Sequence, residues 1–202
     1  MWNEKFNRDD YLYGTEPNDF LRVASLILPD EANILCLAEG EGRNATFLAQ
    51  QGHKVTAMDA SEVGLAKAQR LAQANEVEIE IEQADLEHFT MGEQQWDAIV
   101  AVFCHLPPKL RSQVSKKIIQ GLKPGGFYIA EAYAKAQLQH DTGGPKDPEL
   151  LIDLAEIQQE MTELNWIHAQ QIEREVIEGS GHTGTGWVTQ VIGQKPLDSN
   201  SE

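Results

Sequence analysis

Short apolar segments alternate with amphipathic segments from Asn33 onward, and this alternation restricts the possible folds more than any other feature of the chain. The runs ILCL (34–37), WDAIVAVF (96–103) and FYIAEAY (127–133) are typical of strands that are buried on both faces of a sheet. The segments between them repeat apolar residues at helical spacing, for example over 61–75. Strands that alternate with helices predict an α/β fold with a doubly wound, mostly parallel sheet.

The C-terminal part predicts an addition to this sheet. Two strand-like runs, at about 167–177 and 187–194, flank the glycine-rich segment GSGHTGTG. Such a short connection joins only antiparallel neighbours, so it predicts a C-terminal antiparallel hairpin. We expect a helical or lid-forming N-terminal segment (residues 1–32), one domain (residues 33–196) and a disordered tail (residues 197–202).

The charge of the chain restricts its partners. Asp and Glu total 32 against 16 for Lys and Arg, so the net charge is −16. A surface of this charge repels phosphate backbones and anionic membranes, so we expect a small-molecule substrate rather than nucleic acid or a membrane, and a monomer or homodimer. Neither a signal peptide nor a run of about 20 apolar residues is visible, and Cys36 and Cys104 lie in apolar segments typical of buried thiols. These features favour a cytoplasmic location, and no metal is expected.

The turn after the first strand carries the first ligand-binding signal. Gly40-x-Gly42-x-x-Ala45 fits the dinucleotide pattern, in which glycines admit a ligand and the next helix offers unpaired N–H groups to an anionic group. Asp59 ends the second strand, 19 residues past Gly40, where a carboxylate can accept hydrogen bonds from both hydroxyls of a ribose. A tight turn without ligand and a helix-capping Asp59 are the alternatives.

Asp85 follows the third predicted strand and lies at the same edge of the sheet. Its carboxylate can accept a hydrogen bond from an adenine amino group while Leu86 packs against the base. An exposed loop aspartate is the alternative, because the chain has many acidic residues.

Five segments in order resemble the successive motifs of class I S-adenosylmethionine-dependent methyltransferases: residues 36–44, VTAMDAS (55–61), QADL (83–86), WDAIVAVFCHLP (96–107) and LKPGG (122–126). GEGRN (40–44) and YLYGTEPNDFL (11–21) resemble the small bacterial branch related to tellurite-resistance and thiopurine methyltransferases. The resemblance implies a Rossmann-like seven-stranded sheet of order 3-2-1-4-5-7-6. It also implies S-adenosylmethionine as cofactor and methyl transfer to a small nucleophile, such as a thiol, a selenol or a chalcogen oxyanion.

The resemblance also implies which residues bind the cofactor. The turn after the first strand would contact the methionine portion, and the end of the second strand would contact the ribose. The loop after the third strand would contact the adenine, and the end of the fourth strand would form a wall of the pocket. In chain order, these residues are Glu39, Gly40, Gly42, Asp59, Ala60, Asp85, Leu86 and Phe103. This chain departs from the family pattern twice, because Cys36 replaces an acidic residue and Ala38 replaces a glycine. Glu39 or Glu41 is expected to supply the missing carboxylate.

The acceptor side is predicted from residues at the carboxyl edge of the sheet. We hypothesise that Arg43, His105 and His182 converge beside the methyl group and hold the nucleophile. His105 follows the fourth strand and could deprotonate an acceptor, whereas Arg43 opens a helix, where a cation opposes the helix dipole and indicates a partner anion, either substrate or a neighbouring carboxylate. Aromatic residues that could cover the substrate are Tyr11, Tyr13 and Tyr133, and plain packing is the alternative for them.

Two other functions remain as alternatives. A non-catalytic protein that binds S-adenosylmethionine or a nucleoside would share the same motifs, and Cys36 and Ala38 favour it. An NAD(P)-dependent oxidoreductase would share Gly40, Gly42 and Asp59, but Asp85 and the terminal hairpin disfavour it, and the chain is too short for a separate substrate domain.

Overall fold

A computed structural model describes residues 2–198 of the chain. Met1 lies outside the described residues, and so do residues 199–202, which make up most of the predicted tail (197–202). The helices are α1 (Trp2–Phe6), α2 (Asp19–Ala24), α3 (Arg43–Gln50), α4 (Glu62–Ala74), α5 (Pro108–Gly121) and α6 (Leu154–Glu160). The strands are β1 (Asn33–Leu37), β2 (Lys54–Asp59), β3 (Glu80–Gln83), β4 (Trp96–Val102), β5 (Leu122–Tyr133), β6 (Asn165–Glu178) and β7 (His182–Gln194).

The strands form one sheet of order β3-β2-β1-β4-β5-β7-β6, which confirms the predicted topology. Strands β1 to β5 run parallel, whereas β7 pairs antiparallel with both β5 and β6. The tip of the β6–β7 hairpin therefore lies at the carboxyl edge of the sheet, the same edge at which β1, β2 and β4 end.

Strand β1 shows why helices cover both faces. Ile34 and Cys36 are buried in a core cluster with residues of α2, α3 and α4. Leu35 and Leu37, which point to the opposite face, are buried in a cluster with residues of α5 and α6. Because alternate residues of one strand enter two separate cores, the strand has to be apolar throughout, as its sequence is.

Two strands begin earlier than the sequence predicts. Strand β5 begins at Leu122 rather than 127, because LKPGG continues directly from α5 into a pairing with β4 that is irregular between Trp96 and Ala98. Strand β7 begins at His182, so most of the glycine-rich segment pairs with β6 instead of forming a loop. Side chains cap two of the helices. Ser61 accepts from the N–H of Gly64 at the start of α4 at 3.0 Å, and Glu156 accepts from the N–H of Asp153 at the start of α6 at 3.1 Å.

Residues 2–14 form an N-terminal strap that crosses the carboxyl edge of the sheet. The ammonium group of Lys67, in α4, donates to the carbonyl oxygens of Phe6, Arg8 and Asp10 at 3.4, 3.2 and 2.6 Å. At the other end of the strap, the N–H of Gly181 donates to the carbonyl oxygen of Leu12 at 2.9 Å. The strap is thus attached both to α4 and to the β6–β7 hairpin. No helix within residues 2–198 is long and apolar enough to cross a bilayer.

Candidate functional site

The strand order reverses between β1 and β4, and this is where open α/β sheets form a ligand crevice. The first residue after each of these strands has a left-handed backbone although it is not glycine: Ala38 has φ +50° and Phe103 has φ +52°. Such conformations cost about 1–3 kcal/mol each and cluster at functional sites. The ends of β1 and β4 therefore mark the candidate site.

Asp59, at the end of β2, holds the turn that follows β1. One carboxylate oxygen accepts from the N–H of Gly40 at 2.9 Å, and the other accepts from the N–H of Ser61 at 2.7 Å. Burial raises the pKa of Asp59 above its usual value despite these hydrogen bonds. A carboxylate has about four acceptor positions, so capacity remains for hydroxyl groups of a ligand.

Glu39 lies in the same turn and caps the next helix. One of its carboxylate oxygens accepts from the N–H of Asn44 at 2.9 Å and from the N–H of Ala45 at 2.8 Å. The prediction that the first helix after β1 offers unpaired N–H groups to an anion is therefore wrong, because these two are already bound by a carboxylate. Burial, with a smaller contribution from the nearby charge of Asp59, raises the pKa of Glu39 to about 7.

Cys36 stands where the family pattern has an acidic residue, and the carboxylate of Glu39 lies close to it. Burial raises the pKa of the Cys36 thiol, and the charge of Glu39 adds to this rise, so the Glu39 carboxylate lies near Cys36. Glu41 faces elsewhere: it forms a buried ion pair with Lys67 and accepts from the N–H of Leu12 in the strap at 2.8 Å. We call Glu39 and Asp59 the carboxylate pair. Within residues 2–198, neither member forms an ion pair with a basic side chain.

The two glycines of the turn serve packing. A Cβ on Gly42 would lie 2.5 Å from the Cβ of Ala68 in α4, so Gly42 lets α3 and α4 approach each other. A Cβ on Gly40 would lie 3.1 Å from the ring of Phe6, so the strap covers this residue. The two glycines are expected to let a ligand approach the backbone. In the structure, α4 and the strap approach it instead.

The loop after β3 borders an open depression of about 530 Å³, lined by Glu82, Ala84, Asp85, His88, Phe89 and Thr90. Asp85 is exposed, and one carboxylate oxygen accepts from the N–H of Glu87 at 2.8 Å. Leu86 is buried in the core cluster next to α5, and Ala60, after β2, is exposed.

Five aromatic side chains meet at the same edge of the sheet and form a ring cluster: Tyr13, Phe103, His105, Tyr133 and His182. The ring of His182 lies with its centroid 4.5 Å from Tyr13 and 4.6 Å from Phe103. Phe103 and Tyr133 are 4.7 Å apart, and His105 stacks on Tyr133 at 5.9 Å. The structure thus brings together His105 and His182, which are predicted to be catalytic. The same cluster contains Tyr13 and Tyr133, which are predicted to cover the substrate, and Phe103, which is predicted to wall the pocket.

Both histidines of the ring cluster are neutral near pH 7. Burial lowers the pKa of His105 to about 4. Burial also lowers the pKa of His182 to about 3, and the positive charges of Arg43, His105 and Arg174 contribute to this shift. Each neutral ring therefore has one nitrogen that can accept a hydrogen bond, and neither ring supplies a positive charge.

Arg43 is held by a carboxylate of the protein. Its guanidinium donates to a carboxylate oxygen of Glu178 at 2.5 Å and to the carbonyl oxygen of Glu16 at 3.3 Å. Of the two partner anions expected for this residue, the neighbouring carboxylate is the one present. Arg43 is near enough to lower the pKa of His182, but its charge is balanced by Glu178.

The Arg43–Glu178 pair belongs to a buried ion-pair network that the sequence reasoning missed. Arg174 pairs with both Glu131 and Glu178, and the amide nitrogen of Asn18 donates to these two carboxylates at 2.7 and 2.8 Å. Glu131 is fully buried within the apolar run FYIAEAY, and a charge inside such a run is the signal that could have revealed it.

Tyr11 lies apart from the ring cluster. Its hydroxyl donates to the carbonyl oxygen of Lys67 at 3.3 Å, and the Lys67 ammonium lies 4.9 Å from the centre of its ring. Tyr11 therefore attaches the strap to α4, whereas Tyr13, two residues further, reaches the ring cluster.

Comparisons with known proteins agree with this geometry. Residues 34–126 match a family model described as a methyltransferase domain. A 2-heptyl-1-hydroxyquinolin-4(1H)-one methyltransferase of Mycobacteroides abscessus is 28% identical over 117 residues, which are 55% of this chain and 52% of that protein. The chain spans about half the length of the curated relatives it matches.

Solved structures share the fold at low identity. TehB from Haemophilus influenzae has a TM-score of 0.73 at 17% identity, over 96% of this chain and 65% of that one. A SAM dependent methyltransferase from Aquifex aeolicus has a TM-score of 0.70 at 16% identity, over 95% of this chain and 97% of that one. The domain match and the shared fold together indicate a methyltransferase domain at residues 34–126, and the cofactor that they imply is S-adenosylmethionine.

The carboxylate pair fits this cofactor. S-adenosylmethionine carries a positive sulfonium, an ammonium group and a ribose, and two carboxylates with raised pKa values are stabilised in their ionised form by a cationic ligand. A dinucleotide instead brings a pyrophosphate, which the Glu39 carboxylate at the N-terminus of α3 would repel.

Proposed function

We propose that this protein transfers the methyl group of S-adenosylmethionine to a small nucleophilic acceptor bound at the ring cluster. The observation that carries the proposal is the carboxylate pair at the ends of β1 and β2: Asp59 is buried, Glu39 is half-buried, both have raised pKa values, and neither forms an ion pair with a basic side chain among residues 2–198. The similarity to a quinolone methyltransferase and to TehB supports the reaction type.

Each part of the site has a distinct task. Asp59 accepts hydrogen bonds from the ribose hydroxyls, Glu39 lies toward the positive charge of the ligand, and Asp85 with Leu86 borders the adenine. The cofactor supplies a methyl group on a positively charged sulfur, which is already a reactive donor. The protein then has to align the acceptor and exclude water. The strap excludes water, because it covers Gly40 and reaches the ring cluster through Tyr13.

The acceptor belongs to the class of thiols, selenols and chalcogen oxyanions. His105 and His182 lie in the ring cluster, where they contact the acceptor. Arg43 acts from outside the cluster, through its ion pair with Glu178 at the hairpin tip, and keeps the first residue of β7 in position.

The test is calorimetric titration of S-adenosylmethionine, S-adenosylhomocysteine and NADH into the wild type, Asp59→Ala and Asp30→Ala. Charge-assisted hydrogen bonds contribute about 1.5–3 kcal/mol, so we expect Asp59→Ala to weaken both sulfur ligands by about 10-fold to 100-fold. Asp30→Ala removes an equal charge at the opposite edge of the sheet and should leave both affinities unchanged.

Three outcomes would count against the proposal. Absence of binding by either sulfur ligand would refute the cofactor assignment, and binding of NADH would favour the oxidoreductase alternative. Formation of S-adenosylhomocysteine is then measured with a panel of thiols, selenols, selenite and tellurite. Cofactor binding without turnover of any acceptor would favour the non-catalytic alternative.

A further inference from the structure

The hydrogen bond of His105 defines which nitrogen of its ring carries the proton. Nδ1 of His105 lies 3.0 Å from the carbonyl oxygen of Leu150. A carbonyl oxygen only accepts, so Nδ1 is the donor and carries the hydrogen. In the neutral ring Nε2 then holds a lone pair, and this atom is buried without a hydrogen-bond partner in the described part of the chain.

Two more polar atoms of the ring cluster, the hydroxyl of Tyr133 and Nδ1 of His182, are buried without a hydrogen-bond partner among residues 2–198. Leaving a buried polar group unsatisfied costs about 1–3 kcal/mol, and native proteins rarely leave such groups unexplained. Three of them within one cluster of touching rings indicate that a polar ligand completes their hydrogen bonds.

The cluster offers this ligand no free positive charge. The groups that face it from neighbouring elements are Tyr13 of the strap, Arg43 of α3, Glu131 of β5, and Arg174 and Glu178 of β6. Both arginines are paired with these two glutamates. An oxyanion entering the cluster would therefore lose its hydration without gaining an unpaired cation, which is costly.

The loop around Gly143 closes the cluster on one side. A Cβ on Gly143 would lie 3.0 Å from the Tyr133 hydroxyl and 3.2 Å from the His182 ring, and a Cβ on Gly144 would lie 2.7 Å from the Tyr133 ring. The backbone of this loop rests directly on the rings, so the unpartnered atoms lie in aromatic, largely apolar surroundings, which favour an uncharged ligand.

We propose that the ring cluster is an acceptor subsite for un-ionised X–H acids with an apolar body, such as thiols and aromatic hydroxyl compounds, and that Nε2 of His105 takes their proton. This inference rests on the proposed function and changes its acceptor class: thiols are kept, chalcogen oxyanions are excluded, and aromatic hydroxyl compounds are added. The proton moves from X to Nε2, X forms the bond to the methyl carbon, and the C–S bond breaks with its electron pair on sulfur. His105 gains the positive charge that sulfur loses, while its Nδ1–H remains bonded to Leu150.

The first readout needs no turnover. Protein labelled with ¹⁵N-histidine and saturated with S-adenosylhomocysteine is studied by long-range ¹H–¹⁵N correlation at pH 7. We expect His105 to be the Nδ1–H tautomer, and its Nε2 resonance to move toward the hydrogen-bonded position when 4-methylphenol or benzyl mercaptan is added. The ether 4-methylanisole, which lacks the acidic proton, and selenite should leave the resonance unchanged.

The second readout is the pH profile of methyl transfer to the same two acceptors. General-base catalysis contributes about 10²–10⁴-fold, so His105→Gln should lose that factor at pH 7 and recover as pH rises toward the pKa of the acceptor. A residue with a purely structural role would not produce this recovery. His53→Gln, at the opposite edge of the sheet, is the control with unchanged rate.

The outcomes separate this inference from the function on which it rests. Loss of S-adenosylhomocysteine binding in the wild type would reject both. Normal cofactor binding with no response of His105 to the phenol or the thiol, or with an equal response to selenite, would reject the acceptor subsite and leave the proposed function standing. The Nε2–H tautomer in the free protein would also reject it.

Discussion

Replacement of Gly42 by alanine tests whether the turn after β1 is governed by helix packing. Gly42 has φ +87°, and an added Cβ would lie 2.5 Å from Cβ and 2.6 Å from Cα of Ala68. A left-handed conformation costs a non-glycine residue about 1–2 kcal/mol, and overpacking a close contact costs about 1–3 kcal/mol. The free energy of unfolding should therefore fall by about 2–5 kcal/mol, a large part of the total stability of a typical domain.

Gly52 provides a matched control. It has φ +90°, nearly the same as Gly42, but no described atom lies within 4 Å of an added Cβ. Gly52→Ala should therefore cost only the backbone term of about 1–2 kcal/mol. The difference between the two variants isolates the contact with Ala68.

Urea unfolding followed by circular dichroism measures both variants, with the slope of the transition used to check that the compactness of the states is unchanged. A third variant, Gly42→Ala combined with Ala68→Gly, should recover only a small part of the difference, because it removes the Cβ at 2.5 Å but leaves Cα of residue 68 at 2.6 Å and puts a glycine inside α4. Equal losses for Gly42→Ala and Gly52→Ala, within about 0.5 kcal/mol, would refute the packing argument.

Two further predictions concern the charged groups around the site. Because burial raises the pKa of Glu39 to about 7, its stabilising contribution is present below its unfolded-state pKa and is lost as pH rises through about 7. The unfolding free energy of Glu39→Gln, measured in urea at about pH 5 and about pH 8, should therefore fall less than that of the wild type, and parallel decreases would contradict the assignment. Lys67→Met removes the ammonium that binds three carbonyl oxygens of the strap, so amide hydrogen exchange across residues 2–14 should accelerate by at least about tenfold. Lys117→Met is its control, because Lys117 binds the carbonyl oxygens of Leu86, Glu87 and Phe89 in the same way and should loosen that loop while the strap stays protected.

The fold could be predicted from the sequence because the strands that are buried on both faces are continuously apolar. The prediction failed where glycine and proline stand inside paired strands. Leu122 begins β5 and His182 begins β7 because the hydrogen bonds of a neighbouring strand override the local turn preference of LKPGG and HTGTG. Such pairing depends on a partner strand that is distant in sequence, so a local reading does not detect it.

The candidate site could be predicted only where a residue follows directly from its strand. Asp59, Phe103 and His105 lie where the ends of β2 and β4 put them. The partner of Arg43 could not be predicted, because Glu178 is 135 positions away and reaches it only after the hairpin folds onto the sheet. Asn18 was missed for the same reason, since its amide joins the N-terminal segment to Glu131, 113 positions away.

Charged groups are unpaired at the carboxylate pair but paired at the ring cluster, and methyl transfer explains this difference. The carboxylate pair is left without a basic partner among residues 2–198, so a cationic donor stabilises it. At the ring cluster Arg43 and Arg174 are balanced by Glu178 and Glu131. In the proposed reaction, positive charge leaves the sulfur and arrives at His105, so an unpaired arginine beside the ring would oppose the transfer. The two glutamates remove this opposition, so replacing either of them by glutamine should slow methyl transfer even though neither touches the reacting atoms.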